Sequence, residues 1–145
     1  MIPSVARFRL LPHRERAAVL RAVVCLAAAY GVLRVCSYAF LRRWIDRVPP
    51  RRRQSPGATA ADCERAVRRA SRVLPLASCL AQALAAGWML RRDGRASTIV
   101  IGVKLDETRQ LQAHAWLESE DIIVTGSRLV NGHVPLLRDA IVPEP

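Results

Sequence analysis

One stretch of the chain, from about Ser78 to Arg92, constrains the fold most. It reads SCLAQALAAGWMLRR and is apolar on almost every side, and a helix without a polar face is buried in the middle of a domain. Pro75 ends whatever helix precedes it, Ser78 is a suitable N-cap, and Gly94 can take the left-handed conformation after the last turn. The sequence therefore predicts a central buried helix that carries Cys79 in its first turn.

The position of Cys79 favours nucleophilic chemistry, because the positive end of the helix dipole stabilises a thiolate there. Downstream, residues 113–118 read AHAWLE and place His114 in a strand-like stretch. A cysteine at a helix start and a histidine on a following strand are the nucleophile and general base of a papain-type thiol site. The backbone N–H of Cys79 would donate to the oxyanion. Gln82 and Trp116 are candidates for lining the site or supporting that oxyanion.

The cysteine pattern argues against a metal site. The four cysteines have no C-x-x-C spacing, and no histidine lies at zinc-finger distance from such a pair, so we expect no metal and no cofactor. The N-terminus lacks the apolar core of a signal peptide. We therefore expect a cytoplasmic protein with reduced thiols, in which Cys25, Cys36 and Cys63 serve packing.

The net charge of +11 belongs to the first half of the chain. Residues 1–72 hold sixteen arginines and four acidic residues, whereas residues 73–145 hold seven basic and eight acidic residues. An electrostatic partner would dock on the first half. We expect no nucleic acid there, because the few aromatic residues are not interleaved with the arginines and no nucleic-acid-binding motif is present.

From about Glu15 to Ile45 the pattern is helical and contains no proline. Its longest uncharged run, Ala22 to Leu33, has 12 residues, fewer than the roughly 20 that cross a bilayer. Three interpretations stay open: a helix packed on the rest of the protein or on a partner, an interfacial helix on a membrane, and a membrane span. The prolines, the glycine and Arg51–Arg53 in the stretch Val48–Thr59 predict an exposed linker.

The remaining elements follow from periodicity. Thr59 is expected to cap a second helix with one basic face, from Ala60 to about Leu74. The β-branched, apolar stretch Ser97–Leu105 predicts a strand, and further strands are expected at Leu111–Ser119, Ile122–Thr125 and Val130–Leu137. Short polar turns between them predict an antiparallel meander. The order of elements predicts an α+β fold in which the buried helix packs on the sheet.

The sequence around the site resembles a known family. The blocks LPLASCLAQALA, MLRRDGRASTIVIGV and LQAHAWLE are similar, in this order, to those of the transglutaminase-like leader peptidases of lasso-peptide biosynthesis. The resemblance covers about residues 74–126. It implies a transglutaminase/papain-like fold and a cysteine protease, with Cys79 as nucleophile and His114 as base, that removes the leader of a ribosomally made precursor before ring closure. The expected organisation is a basic helical extension at 1–50, a linker at 51–59 and a transglutaminase-like peptidase domain at 60–145.

The resemblance also implies partners. The chain has no room for a leader-binding domain ahead of the peptidase, so it is similar to the stand-alone peptidases of this family. Its implied partners are the precursor peptide, a separate leader-recognition protein and an ATP-dependent lasso cyclase. Peripheral contact with the inner face of the membrane is a further expectation.

The third member of a catalytic triad does not carry over from the family. The family pattern has an aspartate about 12 residues after the histidine, and Gly126 occupies that position here. Asp121, Ser127, Asn131 or a backbone carbonyl would then orient the imidazole. The alternative function is a catalytically inactive module with a peptidase-like fold that binds a membrane, nucleic acid or peptide.

Overall fold

The computed structural model describes residues 8–50 and 59–143, so Arg51–Arg53 and most of the predicted linker lie outside the described residues. These residues include four α-helices followed by four strands. The helices are α1 (His13–Leu33), α2 (Tyr38–Asp46), α3 (Ala60–Val73) and α4 (Cys79–Arg92). The strands are β1 (Ser97–Leu105), β2 (Leu111–Ser119), β3 (Ile122–Thr125) and β4 (Val134–Ile141), with a 3-10 turn at Ser127–Leu129. The predicted α+β class is confirmed.

Both predicted caps of the central helix α4 are confirmed. The Ser78 hydroxyl accepts the N–H of Ala81 at 3.2 Å, and Gly94 takes a positive φ of 76°. The N–H of Arg95 then donates to the Leu90 carbonyl at 2.9 Å, which closes the last turn. Because α4 contacts α1, α3 and the sheet, it occupies the central position that its apolar sequence predicts.

The sequence predicted one helix from Glu15 to Ile45, but the structure has two helices, α1 and α2, in this region. The first helix ends at Leu33, and Ser37 starts α2 with extended backbone and a hydroxyl that accepts the N–H of Phe40 at 3.3 Å. A serine oxygen that satisfies a free N–H stabilises a new helix start. The break lets α2 turn and bury Leu41 and Ile45.

The first helix, α1, is part of the protein's core. It packs on α3 and α4 and buries one stripe of residues, Val19, Ala22, Leu26 and Ala29. An ion pair at 2.8 Å joins Arg21 to Asp93 just after α4. By length and composition alone α1 could cross a membrane, yet Ala22, Leu26 and Ala29 of its buried stripe belong to the same cluster as α4 and Leu117. Residues on both sides of position 50 therefore share one core, and the predicted division there into separate folding units stays a prediction.

The sheet has the order β3-β2-β1-β4, and its neighbouring strands are antiparallel. The predicted meander is right only for the first three strands, because β4 crosses over to pair with β1. The predicted bounds of the last strand, Val130–Leu137, are also wrong. A turn closed by the His133 N–H on the Val130 carbonyl, at 3.1 Å, delays the strand, and its pairing continues to Ile141.

Alternation along β2 decides which side chains face α4. Successive side chains of a strand point to opposite faces, and the pairing of β2 with β1 is regular throughout. A methyl group on Gly87 in α4 would lie 3.6 Å from Leu117 Cδ1, so the face that carries Leu117 and Ala115 packs on the helix. His114 and Trp116 belong to the opposite face.

Candidate active site

Cys79 is the first residue of α4, as predicted, and its side chain is half-buried. The Ser78 hydroxyl takes the N–H of Ala81, while the N–H groups of Cys79 and Leu80 donate to no acceptor among the described residues. Two unsatisfied N–H groups beside a thiol are suited to an oxyanion. The local structure of Cys79 is therefore compatible with the predicted nucleophile.

Cys63 is buried and Cys25 is half-buried, and both thiols have a raised pKa. Burial raises the pKa of the Cys25 thiol to about 11 and that of Cys63 to about 12. The Cys63 Sγ lies 3.8 Å from the Ala86 carbonyl oxygen inside the core. A thiol held in its neutral form is a poor nucleophile, so these two cysteines are packing residues.

His114 lies on β2, as predicted, with its ring held by a backbone carbonyl. Its Nε2 lies 2.9 Å from the Gly126 oxygen, and because a carbonyl can only accept, Nε2 carries the proton. In the neutral ring Nδ1 is then the basic nitrogen. Nδ1 has no hydrogen-bond partner among the described residues and is not fully buried, so it is available to take a proton.

The position of the Gly126 carbonyl beside His114 requires a glycine. Its φ is 80°, and a Cβ there would lie 2.8 Å from His114 Nε2 and 2.9 Å from Trp116 Cβ. The left-handed backbone and the lack of space both favour glycine. A backbone carbonyl, one of the four predicted alternatives, thus lies beside the imidazole, where the resembled peptidases are expected to carry an aspartate.

The other three candidates for orienting the imidazole make no described hydrogen bond to His114. Asp121 lies in the β2–β3 turn with a φ of 62°. It lines an open cavity of about 470 Å³ that contains neither Cys79 nor His114. Ser119, just before that turn, lies five positions after His114 in β2, about 16 Å along a strand. Ser127 and Asn131 are exposed.

Two aromatic rings flank the imidazole of His114. Trp116 stacks beside it, with ring centroids 6.0 Å apart, and donates its Nε1–H to Glu118 at 2.9 Å. His133 lies on another side at 5.4 Å. Sequence reasoning proposed Trp116 for the site but missed His133, because a turn far along the chain brings it there and no local motif marks it.

Gln82 makes one described side-chain hydrogen bond, and its proposed role in lining the site stays a prediction. Its Nε2 donates to the Ala77 carbonyl at 3.2 Å, which braces the segment before α4. No hydrogen bond joins Cys79 to His114 among the described residues, and His114 lies on the sheet face opposite α4. The catalytic pair therefore stays a prediction. The described residues also contain no group of three or more metal-ligating side chains.

Comparison with known proteins adds one finding to this geometry. A family model described as the transglutaminase-like superfamily matches residues 22–138. No curated protein and no solved structure matches the chain. The family match spans well over half of the sequence, includes Cys79, His114 and Gly126, and agrees with the buried helix packed on an antiparallel sheet. The chain belongs to the transglutaminase-like superfamily.

Proposed function

We propose that this protein is a cysteine peptidase that removes the leader from a ribosomally synthesised lasso-peptide precursor. The observation that carries the proposal is the orientation of His114, whose Nε2 is tied to Gly126 so that Nδ1 is left as the base. The superfamily supports the enzyme class, because its fold is typical of cysteine proteases and transglutaminases. The sequence blocks around Cys79 and His114 support the specific substrate.

The proposed reaction begins when the Cys79 thiol gives its proton to His114 Nδ1. The thiolate attacks the scissile carbonyl carbon, and the N–H groups of Cys79 and Leu80 bind the oxyanion. The imidazolium then protonates the leaving amine as the C–N bond breaks, which leaves a thioester. Water attacks that thioester, His114 takes its proton, and the thiol and a free carboxylic acid are released.

This reaction requires Cys79 Sγ to approach His114 Nδ1. Because His114 lies on the sheet face opposite α4, this approach needs a rearrangement when substrate binds, and catalytic hydrogen bonds often form fully only in the bound state. We propose that the precursor completes the site, and that a separate leader-recognition protein delivers it in the cytoplasm. The cleaved core peptide would pass to an ATP-dependent cyclase.

A second candidate function is a catalytically inactive module that binds peptide through the same fold. Two observations favour it: the Cys79 thiol has no described hydrogen bond to His114, and His114 has a neutral carbonyl in place of a carboxylate. A neutral partner stabilises an imidazolium less than a carboxylate does.

Incubation with the precursor peptide, with and without the leader-recognition protein, separates the two functions. We expect mass spectrometry to show leader removal by the wild-type protein and none by Cys79→Ala or His114→Ala. The matched control is Cys36→Ala, which removes another partly buried thiol and should remain active. Unchanged circular dichroism spectra would show that the inactive variants are folded.

Iodoacetamide labelling provides a readout without substrate. A catalytic Cys79 should react near pH 7 faster than the other three thiols. Wild-type protein that neither cleaves the precursor nor labels preferentially at Cys79 would favour the inactive module. Cleavage by Cys79→Ala would overturn the assignment of the nucleophile.

A further inference from the structure

The first helix, α1, has two apolar faces, and only one of them is used by the core. The buried stripe is Val19, Ala22, Leu26 and Ala29. The opposite face is exposed and uncharged over about four turns: Ala17, Leu20, Val24, Ala27, Ala28 and Gly31. Leu20 is 55% and Val24 is 68% exposed. The outward face of a helix in a globular protein is normally polar, so this face is expected to have a partner.

Further apolar residues are exposed after the end of α1. Val35 in the connection is exposed, and Phe40 and Trp44 project outward from α2 at 56% and 50% exposure. These two aromatic residues are four positions apart, so they lie on one side of α2. Tryptophan beside arginine is a composition typical of the boundary between headgroups and acyl chains.

The charges around this surface identify the class of partner. Exposed arginines without an ion-pair partner among the described residues lie on α1 and α2 or next to them: Arg14, Arg34, Arg43 and Arg47. The two acidic residues of these helices are neutralised, Glu15 by Arg69 and Asp46 by Arg42. A second copy of a chain with net charge +11 would bring like charges together, whereas anionic headgroups would attract them.

We propose that the outward face of α1, together with the exposed Phe40 and Trp44 of α2, docks the protein on an anionic bilayer surface. The helix lies on the bilayer rather than across it, because its other face is part of the core. The apolar residues enter the headgroup boundary, and the flanking arginines contact lipid phosphate. This surface does not depend on peptidase activity.

Co-sedimentation with vesicles tests the docking surface. We expect the full chain to bind vesicles made of equal parts phosphatidylglycerol and phosphatidylcholine, and to bind pure phosphatidylcholine much more weakly. Binding should fall as salt rises from 0.1 to 1 M, because the screening length drops from about 10 to about 3 Å. Leu20→Gln combined with Val24→Gln should weaken binding about tenfold. Leu76→Gln with Leu129→Gln is the matched control, because both leucines are exposed elsewhere, and it should bind like wild type.

Tryptophan fluorescence gives a direct readout of insertion. Lipids brominated on their acyl chains should quench Trp44, whereas Trp116 is buried and should be protected. Trp44→Phe should abolish the quenching. Equal binding by the α1 double variant and wild type, or no quenching of Trp44 on bound vesicles, would overturn the proposal. So would a dimer in sedimentation velocity that the double variant dissociates while neither protein binds vesicles, which would assign the face to a second copy.

Discussion

At the level of single residues, the hydrogen bond between His114 and Gly126 is the feature on which catalysis would depend. A carbonyl fixes the tautomer of an imidazole as a carboxylate does, because it accepts the same proton. It carries no full charge, so it stabilises the imidazolium less. We therefore expect an active enzyme to be slower than a relative with an aspartate at this position.

Gly126→Ala tests the role of the carbonyl. The added methyl group would lie 2.8 Å from His114 Nε2, so we expect the ring to be displaced and leader cleavage to fall about tenfold or more. Nitrogen-15 NMR of the imidazole should show loss of the fixed Nε2–H tautomer. The matched control is Gly132→Ala, which has a similar φ of 83° but open space around it. If both variants lose the same activity, backbone strain and not the contact with His114 is responsible.

Cys63 predicts a dependence of stability on alkaline pH. Burial raises its pKa from 9.0 to about 12, so the unfolded chain loses this proton at lower pH than the folded protein. The contribution of the neutral Cys63 thiol to the free energy of unfolding should therefore be fully present below pH 9. It should decline by about 1.4 kcal/mol per pH unit as pH rises from 9 towards 12. Urea denaturation at pH 8 and pH 10 should show a smaller decline for Cys63→Ala than for wild type. Cys36→Ala should keep the wild-type decline, and equal declines in all three proteins would contradict this account.

At the level of secondary-structure elements, the buried side chain of Arg91 links α4 to its neighbours by hydrogen bonds. Arg91 is 3% exposed and donates to the carbonyl oxygens of Val48 at 3.0 Å and Asp46 at 2.5 Å. A third bond reaches Val142 just after β4. One guanidinium thus joins the end of α2, the end of β4 and the last turn of α4.

Replacing this guanidinium should be costly. Arg91→Met keeps most of the apolar stem but leaves three carbonyl oxygens without their donor, so we expect a loss of about 3 kcal/mol or more in the free energy of unfolding. Arg92→Met is the matched control, because Arg92 makes one exposed bond, 3.3 Å long, to Pro49. It should change stability by less than about 1 kcal/mol. Urea denaturation measures both, and similar losses would show that the buried bonds are not the cause.

For the whole molecule, the shared core predicts the effect of truncation. The sequence predicted that residues 1–50 form an extension outside the catalytic domain, so that their deletion would leave the domain folded. Ala22 and Leu26 are fully buried with α4 in one cluster, and their removal would expose the apolar surface of α3 and α4. We now expect the protein without residues 1–50 to lose its circular dichroism signal and the protection of Cys63 from iodoacetamide. A folded truncated protein with Cys63 protected would support the boundary at residue 50.

Much of the local structure followed from the sequence, because its causes are local. The caps at Ser78, Thr59 and Gly94 rest on backbone N–H and carbonyl groups within a few residues of each side chain. The first three strands were predicted from apolar stretches separated by short polar turns. Cys79 at a helix start and His114 on a strand were predicted for the same reason, and the family resemblance suggested their roles.

Tertiary structure alone decided the features that depend on distant parts of the chain. The break between α1 and α2 at Ser37 was missed, because α2 starts there to bury Leu41 and Ile45. The crossover of β4 to β1 and the position of His133 beside His114 join residues that are far apart in the sequence. The sequence could not predict which carbonyl contacts His114, because every residue has a backbone carbonyl. Only the fold brings the Gly126 oxygen to 2.9 Å from His114 Nε2. Sequence determines short-range hydrogen bonding and periodicity, whereas contacts between distant residues are decided by which surfaces pack together.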